Sequence, residues 1–405
     1  MTCPHCPHAA PFHSHRPRTF VGLLGPVTVR RAYYRCGRCG RGRSPFDEGA
    51  GFSGRGLTLA AEEVVSLTGL LTDSFAEAAE KVLPRLTGQH FGESTVERTT
   101  EDVGGVLGDW LDQGGTVGDK TCWAWRRDAR GRRVAYISLD ATGVLRQGPG
   151  GAAAEGRMPF VAMVYNPPTH EAGADATPAA AGRSAKAKAA SRMQARYLAG
   201  LYTLPLLGLL LRRQARQVGM EAADLWVGLS DAGNGLEDFV RQNFNRPDLV
   251  VILDFYHPAG RLEELAKCWH EGDEAKAQER AGQWCGMLKR QGGAKLLEHL
   301  RALPPPGRKA AKEKYRETLG YLKNHQHKMD YPEYLRQGWY IGSGPVESAC
   351  KTVVGQRLKL AGMRWGEEGT DHVCHLRALF KSDKGQWEAF WARRMNKGSI
   401  FYQPN

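Results

Sequence analysis

The chain has 405 residues, 41% of them hydrophobic and 24% charged, enough for two to four domains and at least one sizeable core. No uninterrupted apolar stretch approaches the roughly 18 residues of a membrane span, and the opening MTCPHC lacks the charged and apolar regions of an export signal. A cytoplasmic protein with no membrane partner is therefore expected. The balance of 56 Lys+Arg against 43 Asp+Glu, formally +13, favours a polyanion partner, because neutralising phosphates releases condensed counterions. Residues 1–46 hold eight arginines and no acid, and residues 286–329 hold eleven Lys/Arg against three acids. Such patches suit a nucleic-acid track, although a solvated helix face gives the same pattern.

Four of the nine cysteines form two close pairs, Cys3/Cys6 and Cys36/Cys39. Without an export signal, paired C-x-x-C motifs indicate a metal, not disulfides. The intervening TFVGLLGPVTVRRAYYR predicts a β-hairpin turning at Gly25–Pro26. Four thiolates gathered at the end of a hairpin make a zinc ribbon, and so small a segment needs structural Zn²⁺ to fold. The long gap between the pairs leaves His5 or His8 open as a substitute ligand. Residues 1–48 are thus expected to be a zinc-ribbon-like DNA-binding segment.

Residues 49–118 are helical by pattern. LAAEEVVSLTGLL has apolar residues at three- and four-residue intervals. A helix from Phe75 should stop near Thr87–Gly88, and Ser94 should cap the next one, with Glu97 at the capping-box position. Two helices joined by a glycine-containing turn fit a helix-turn-helix, with Arg98 and Thr99 facing outward to DNA; a plain helical spacer is the alternative.

Strands and helices then alternate. RRVAYISLDATGV predicts a strand ending at Asp140, MPFVAMVYN a second, and residues 167–192 an Ala/Gly/Pro-rich loop. An apolar helix over 203–219 follows, then a strand ending at Asp231, a helix, and the strand of VVILDFYH. This order predicts an α/β core with a mixed sheet, its first part spanning 119–260. Residues 261–339 form a basic helical insertion broken by PPPG. Residues 340–405 complete the core, with Glu347 in the first turn of a helix entered through GSGP. Asp140, Asp231 and Glu347 each follow or open an ordered element and are flanked by small residues. Converging, they would suit a pair of Mg²⁺ (or Mn²⁺) ions, whose hard shells take carboxylates and substrate phosphate. A strand-end aspartate that merely caps the next helix is the plainer reading of each acid alone.

The segments YYRCGRCGRGRSPFDE, ISLDATGV, VVILDFYH and, most specifically, WYIGSGPVESACKTVVGQRLKLAGMRW resemble bacterial insertion-sequence transposases of the ISKra group, in the Mutator-like DDE set. The resemblance spans roughly residues 30–390. It implies a ribonuclease H-like core, metal-dependent cleavage at the terminal inverted repeats of an element, and strand transfer into target DNA. Double-stranded DNA would be the partner, with the protein nucleoid-associated when bound and acting as a homo-oligomer. Asp140 would be the first carboxylate and Glu347 the third. Asp231, after the strand that follows the first long helix, is favoured as the second, with Asp254 the alternative. Asp254 and His257 match the family's motif of cysteine or aspartate, two residues, then histidine, and would then support the site. His257 is otherwise a core-edge histidine. Lys351, Arg357 and Arg364 are candidate phosphate contacts, Lys351 being equally suited to pair with Glu347. Trp339 and Trp365 are expected in the core. Two other functions fit the same parts: a DNA-binding regulator on an inactive core, and a nuclease that stops after hydrolysis.

Overall fold

Val134–Ala141 is buried over its first six residues, as a strand covered on both faces should be. In the computed structural model of the protein it is the centre of a five-stranded mixed sheet. Described are residues 1–3, 5–49, 55–167, 193–231, 233 and 235–398; the loop expected at 167–192 lies, from 168 on, outside them. In chain order the strands are β1 (Phe12–Gly22), β2 (Gly25–Arg35), β3 (Gly42–Arg43), β4 (Val134–Ala141), β5 (Val144–Gln147), β6 (Ala153–Arg157), β7 (Phe160–Asn166), β8 (Gln194–Gly200), β9 (Leu225–Ser230) and β10 (Leu249–Leu253). The chain divides into two compact units, one of residues 119–142 and 158–352, the other of residues 1–118, 143–157 and 353 onward.

The first of these carries the sheet, in the order β10-β9-β4-β7-β8. β7 is antiparallel to β4 and β8, whereas β9 is parallel to β4 and β10. The parallel pairs need crossovers, supplied by helices Leu204–Gln217 and Leu236–Asn243. Leu207, Leu210 and Leu211 of the first are buried, so its apolar stripe covers the sheet. The mixed α/β sheet is as expected, but β8 went unread. Its sequence QARYLAG carries Arg196, which is buried and donates to Gln217 Oε1 at 3.3 Å.

Helices Tyr256–Trp269, Glu274–Ala302, Lys309–His325 and Tyr331–Arg336 follow β10 and pack on one another. Trp269 anchors them, edge-on to Trp284 at 5.5 Å and to Tyr315 at 5.4 Å. The Asp273 carboxylate accepts from Lys276 N at the head of the second helix. PPPG falls between the second and third helices, as its breaking of the pattern predicts.

In the other unit β1 and β2 form the hairpin, but the pairing Gly22↔Gly25 makes Leu23–Leu24 the turn, and Pro26 already belongs to β2. Helices Leu59–Leu71 and Glu93–Asp112 pack together, and the latter also packs on Glu367–Lys381. The expected helix from Phe75 ends at Thr87, and Gly88 adopts φ 69°. Two details of the helix-turn-helix expectation are corrected. The second helix begins at Glu93 with Gly92 as its cap, so Ser94 lies inside the first turn. Thr99 faces inward, buried with Val96, Val103 and Leu107 on the face that meets neighbouring helices. Gly104 on that face lies against the His372 backbone, where a β-carbon would collide. The short pair β5/β6 was not foreseen; Trp365 bonds beside it, its N–H donating to Leu145 O at 3.0 Å.

The last carbonyls of helix Leu59–Leu71 have no helical N–H to receive. Two buried guanidinium groups serve them: Arg357 Nε donates to Gly69 O at 2.9 Å and Arg377 donates to Leu70 O at 2.6 Å. Burial pulls both arginines down to about 10. Arg357 is further enclosed by the rings of Phe75 and Trp365, 4.3 and 4.9 Å from its guanidinium carbon.

Replacing Arg377 by Met should lower the stability of this unit by about 2–3 kcal/mol, the worth of a charged hydrogen bond whose acceptor stays buried. A urea midpoint that falls at unchanged slope checks it. A second expectation concerns Glu101, whose carboxyl is pushed up to about 7 by burial and then by Glu97, Asp102 and Glu368, with Arg55 opposing. Its folded value lies above the ordinary 4.5, so it favours the folded state at low pH and loses that contribution as pH rises through 7. Glu101→Gln should therefore gain melting temperature over the wild type between pH 4.5 and 7, with no further gain above. An equal advantage at both ends of that range refutes the assignment.

Candidate functional site

The register of the parallel strands aligns three aspartates. β4 pairs Ser138 with Leu229 of β9, and β10 pairs Leu253 with Ser230. Carried on by two residues and by one, these registers set Asp140, Asp231 and Asp254 abreast at the ends of three neighbouring strands. Asp254 N indeed donates to Ser230 O at 2.8 Å, continuing the ladder. Asp140 and Asp231 close their apolar runs where the strands emerge, whereas Asp254 is buried and admitted by the N–H groups it accepts from.

Each carboxylate is turned onto a nearby donor. Asp140 Oδ1 accepts from Ala141 N at 2.7 Å and its Oδ2 receives the Cys350 thiol at 3.5 Å. Asp231 Oδ1 accepts from Gly233 N at 2.7 Å. Asp254 is fully enclosed, its side chain 0% exposed. Its Oδ1 accepts from Ser343 N at 2.9 Å and Tyr256 N at 3.4 Å. Its Oδ2 receives no hydrogen bond; His257 Nε2, on a half-exposed side chain, stands 3.8 Å away.

Glu347 belongs to helix Gly344–Ala349, which packs over β4 and β7. Pro345 lies in its first turn, and the Ser343 hydroxyl at the cap position donates to Glu347 Oε1. The entry is fastened to the end of β10. Phe255 N donates to Ile341 O at 2.8 Å, and the Tyr331 hydroxyl to Leu253 O at 3.0 Å. At Gly342 a β-carbon would sit 3.0 Å from the Tyr256 ring, so the docking favours glycine. Glu347 therefore lies between Ser343, four residues back and tied to Asp254, and Cys350, three residues on and tied to Asp140. All three share one helix face.

Ser343 and Cys350 were not among the residues anticipated from sequence. Serine before a proline-opened helix is a capping signal; Cys350 shows only in its spacing from Glu347. The three acids Asp140, Asp231 and Glu347 do not form a set with all donor atoms within 4.8 Å of one another; among the described residues Cys3, Cys6, Cys36 and Cys39 do.

Of the candidate phosphate contacts, Arg98, Lys351 and Arg364 are exposed. Lys351 makes no ion pair with Glu347 among the described residues. Arg357 is corrected: it is 1% exposed, and its guanidinium is committed to Gly69 O and two aromatic rings. Trp339 and Trp365 are buried, as expected of core residues.

The four cysteines could hold a metal ion. Cys3 and Cys39 sulfurs are 3.6 Å apart, as are those of Cys6 and Cys36. Four sulfurs at about 2.3 Å from Zn²⁺ in a tetrahedron lie about 3.8 Å apart, so the spacing fits. The Cys36 thiol is drawn down to about 6, chiefly by the N–H groups of Cys39 and Arg38. The four sulfurs make up the group without a histidine; His5 and His8 lie outside it, against Arg41 at 3.0 Å and Arg38 at 3.1 Å.

No helix among the described residues is long and apolar enough to cross a membrane. In comparisons with known proteins, the chain matches no family model and no curated protein.

Metal-stripped protein titrated with Zn²⁺ should take up one equivalent, followed with a colorimetric chelator. Cys36→Ser combined with Cys39→Ser should abolish that uptake, because a tetrahedral site keeps too few ligands.

Proposed function

We propose that the protein is a DDE-type DNA transposase, cutting and joining DNA at a carboxylate site on a ribonuclease H-like core. The observation that carries this reading is the row of Asp140 and Asp231 on adjacent parallel strands, with the helix of Glu347 fastened over the same end of the sheet. The sheet supports it as well. Numbered in chain order within the sheet, its strands run 3-2-1-4-5 with only the second antiparallel to the rest, the arrangement a ribonuclease H-like core requires.

Asp231 is the better second acid. It is half-exposed, whereas Asp254 is enclosed and spends one oxygen on Ser343 N. The donor set suits Mg²⁺ or Mn²⁺: the acids offer hard oxygens, and the buried Oδ2 of Asp254 is an acceptor that no hydrogen bond fills. Asp140, Asp231 and Glu347 would hold the ions, which when bound activate the attacking oxygen and stabilise the leaving one. The protein's own part is positional. Ala141 N and Cys350 orient Asp140, Gly233 N orients Asp231, and Ser343 orients Glu347 through its hydroxyl. Asp254 sets Ser343 through the backbone.

DNA is the proposed partner, gripped at exposed cations including Arg98, Lys351 and Arg364, with the arginine-rich hairpin of β1 and β2 and its four-cysteine group as a zinc ribbon. A homo-oligomer that pairs two element ends belongs to the same reading.

Asp140→Asn, Asp231→Asn and Glu347→Gln should each lower cleavage of element-end DNA with Mg²⁺ by at least about a hundredfold, the scale of losing one preorganised electrostatic contact, while DNA binding persists. Joined products from the wild type support a transposase. Nicking alone indicates a nuclease, and binding without either indicates a regulator. Normal cleavage by Asp231→Asn with loss in Asp254→Asn would move the second acid to Asp254.

A further inference from the structure

Cys350 is a buried cysteine that touches the first of the candidate acids. It is 7% exposed, lies one turn beyond Glu347, and its sulfur is 3.5 Å from Asp140 Oδ2. Asp140 Oδ1 is already held by Ala141 N. The thiol holds the second oxygen, and the two contacts together set the rotation of the carboxylate about its last bond. It is also suited to that task by being weak and neutral. A lysine or arginine there would cancel the negative charge needed for a cation, and an apolar side chain would leave Oδ2 undirected. The backbone changes at the same residue, where the helix passes into a π-helical turn over Cys350–Gly355. Turns of this kind re-aim side chains and recur at functional sites.

We infer that Cys350 is a positioning residue. Its thiol orients Asp140 and ties strand β4 to the helix of Glu347, so it sets the spacing between the first and third carboxylates. This rests on the DDE reading above. Hydrogen bonds at two places add to the packing of the helix on β4 and β7, one at Asp254 through Ser343 and one at Asp140 through Cys350. Without the second, Asp140 loses the contact that aims its Oδ2 and can turn away from Glu347. The chemistry assigned to Cys350 is a hydrogen bond from a neutral thiol, with no covalent or redox step.

The test measures metal binding, separately from catalysis, on the full-length protein. Mn²⁺ bound to the wild type, Cys350→Val, Cys350→Ser and Asp140→Asn is counted from the free-ion electron paramagnetic resonance signal, with urea midpoints to confirm folding. Valine, one methyl larger, keeps the space filled and removes the donor; serine restores a donor. Cys350→Val should weaken Mn²⁺ binding by about tenfold, the usual effect of losing a group that orients a metal ligand, and Cys350→Ser should return it toward the wild type. Wild-type affinity in Cys350→Val overturns the inference, as does a serine variant no better than valine, because packing would then be the whole role. Asp140→Asn separates the two levels. If it loses Mn²⁺ while Cys350→Val does not, only the role of Cys350 fails. If it binds as the wild type does, the carboxylate site itself is refuted and the inference falls with it.

Discussion

Like charges crowd the end of the sheet, and much of the local structure answers that crowding. Strands in register place three aspartates at the ends of neighbouring strands, whose backbones lie about 4.8 Å apart. Carboxylates brought together in this way repel one another when ionised. The fold offsets this with oriented donors instead of basic side chains: Ala141 N, Gly233 N, Tyr256 N and Ser343 N all point at carboxylate oxygens. The carboxylates are thereby oriented by neutral backbone groups. Asp254 shows the limit of the device, since its buried Oδ2 has no hydrogen bond among the described residues and His257 Nε2 stands 3.8 Å away.

The other unit is organised by the opposite problem, buried positive charge. Arg357 and Arg377 meet backbone carbonyls at the end of helix Leu59–Leu71, where the helix dipole is negative, so neither needs an acid beside it. Arg394 takes the alternative route and pairs with Glu62 at 2.9 Å, both largely buried. These three contacts link the C-terminal segment to a helix near the start of the chain. The unit is thus assembled from pieces far apart in sequence.

That distance explains what could and could not be read in advance. β4, β9 and β10 were legible because strands buried on both faces are continuous apolar runs, and their acids mark where the runs end. The four-cysteine group was legible because C-x-x-C spacing is local. Arg357 was misread because an arginine in a basic stretch looks like surface, and the carbonyl that claims it lies 288 residues away. Thr99 was misread for a related reason. Its burial depends on which face of helix Glu93–Asp112 meets its neighbours, and a polar residue there gives no periodic signal. β8 escaped because a buried arginine interrupts its apolar pattern. Of the candidate site, the acids were visible, but Ser343 and Cys350 acquire meaning only once the helix is seen lying across the strand ends.

The contact from Asp254 to Ser343 joins residues 89 positions apart, and between them run the helices that follow β10. The two ends of that segment are held at one point. In polymer terms it is a closed loop, and the entropy of closing a flexible loop grows only logarithmically with its length, by about 0.6 kcal/mol for each doubling. Lengthening or shortening the helices before Tyr331, whose hydroxyl is part of the fastening, therefore costs little in closure entropy. That stretch can be remodelled around the candidate acids, provided that its two ends still meet.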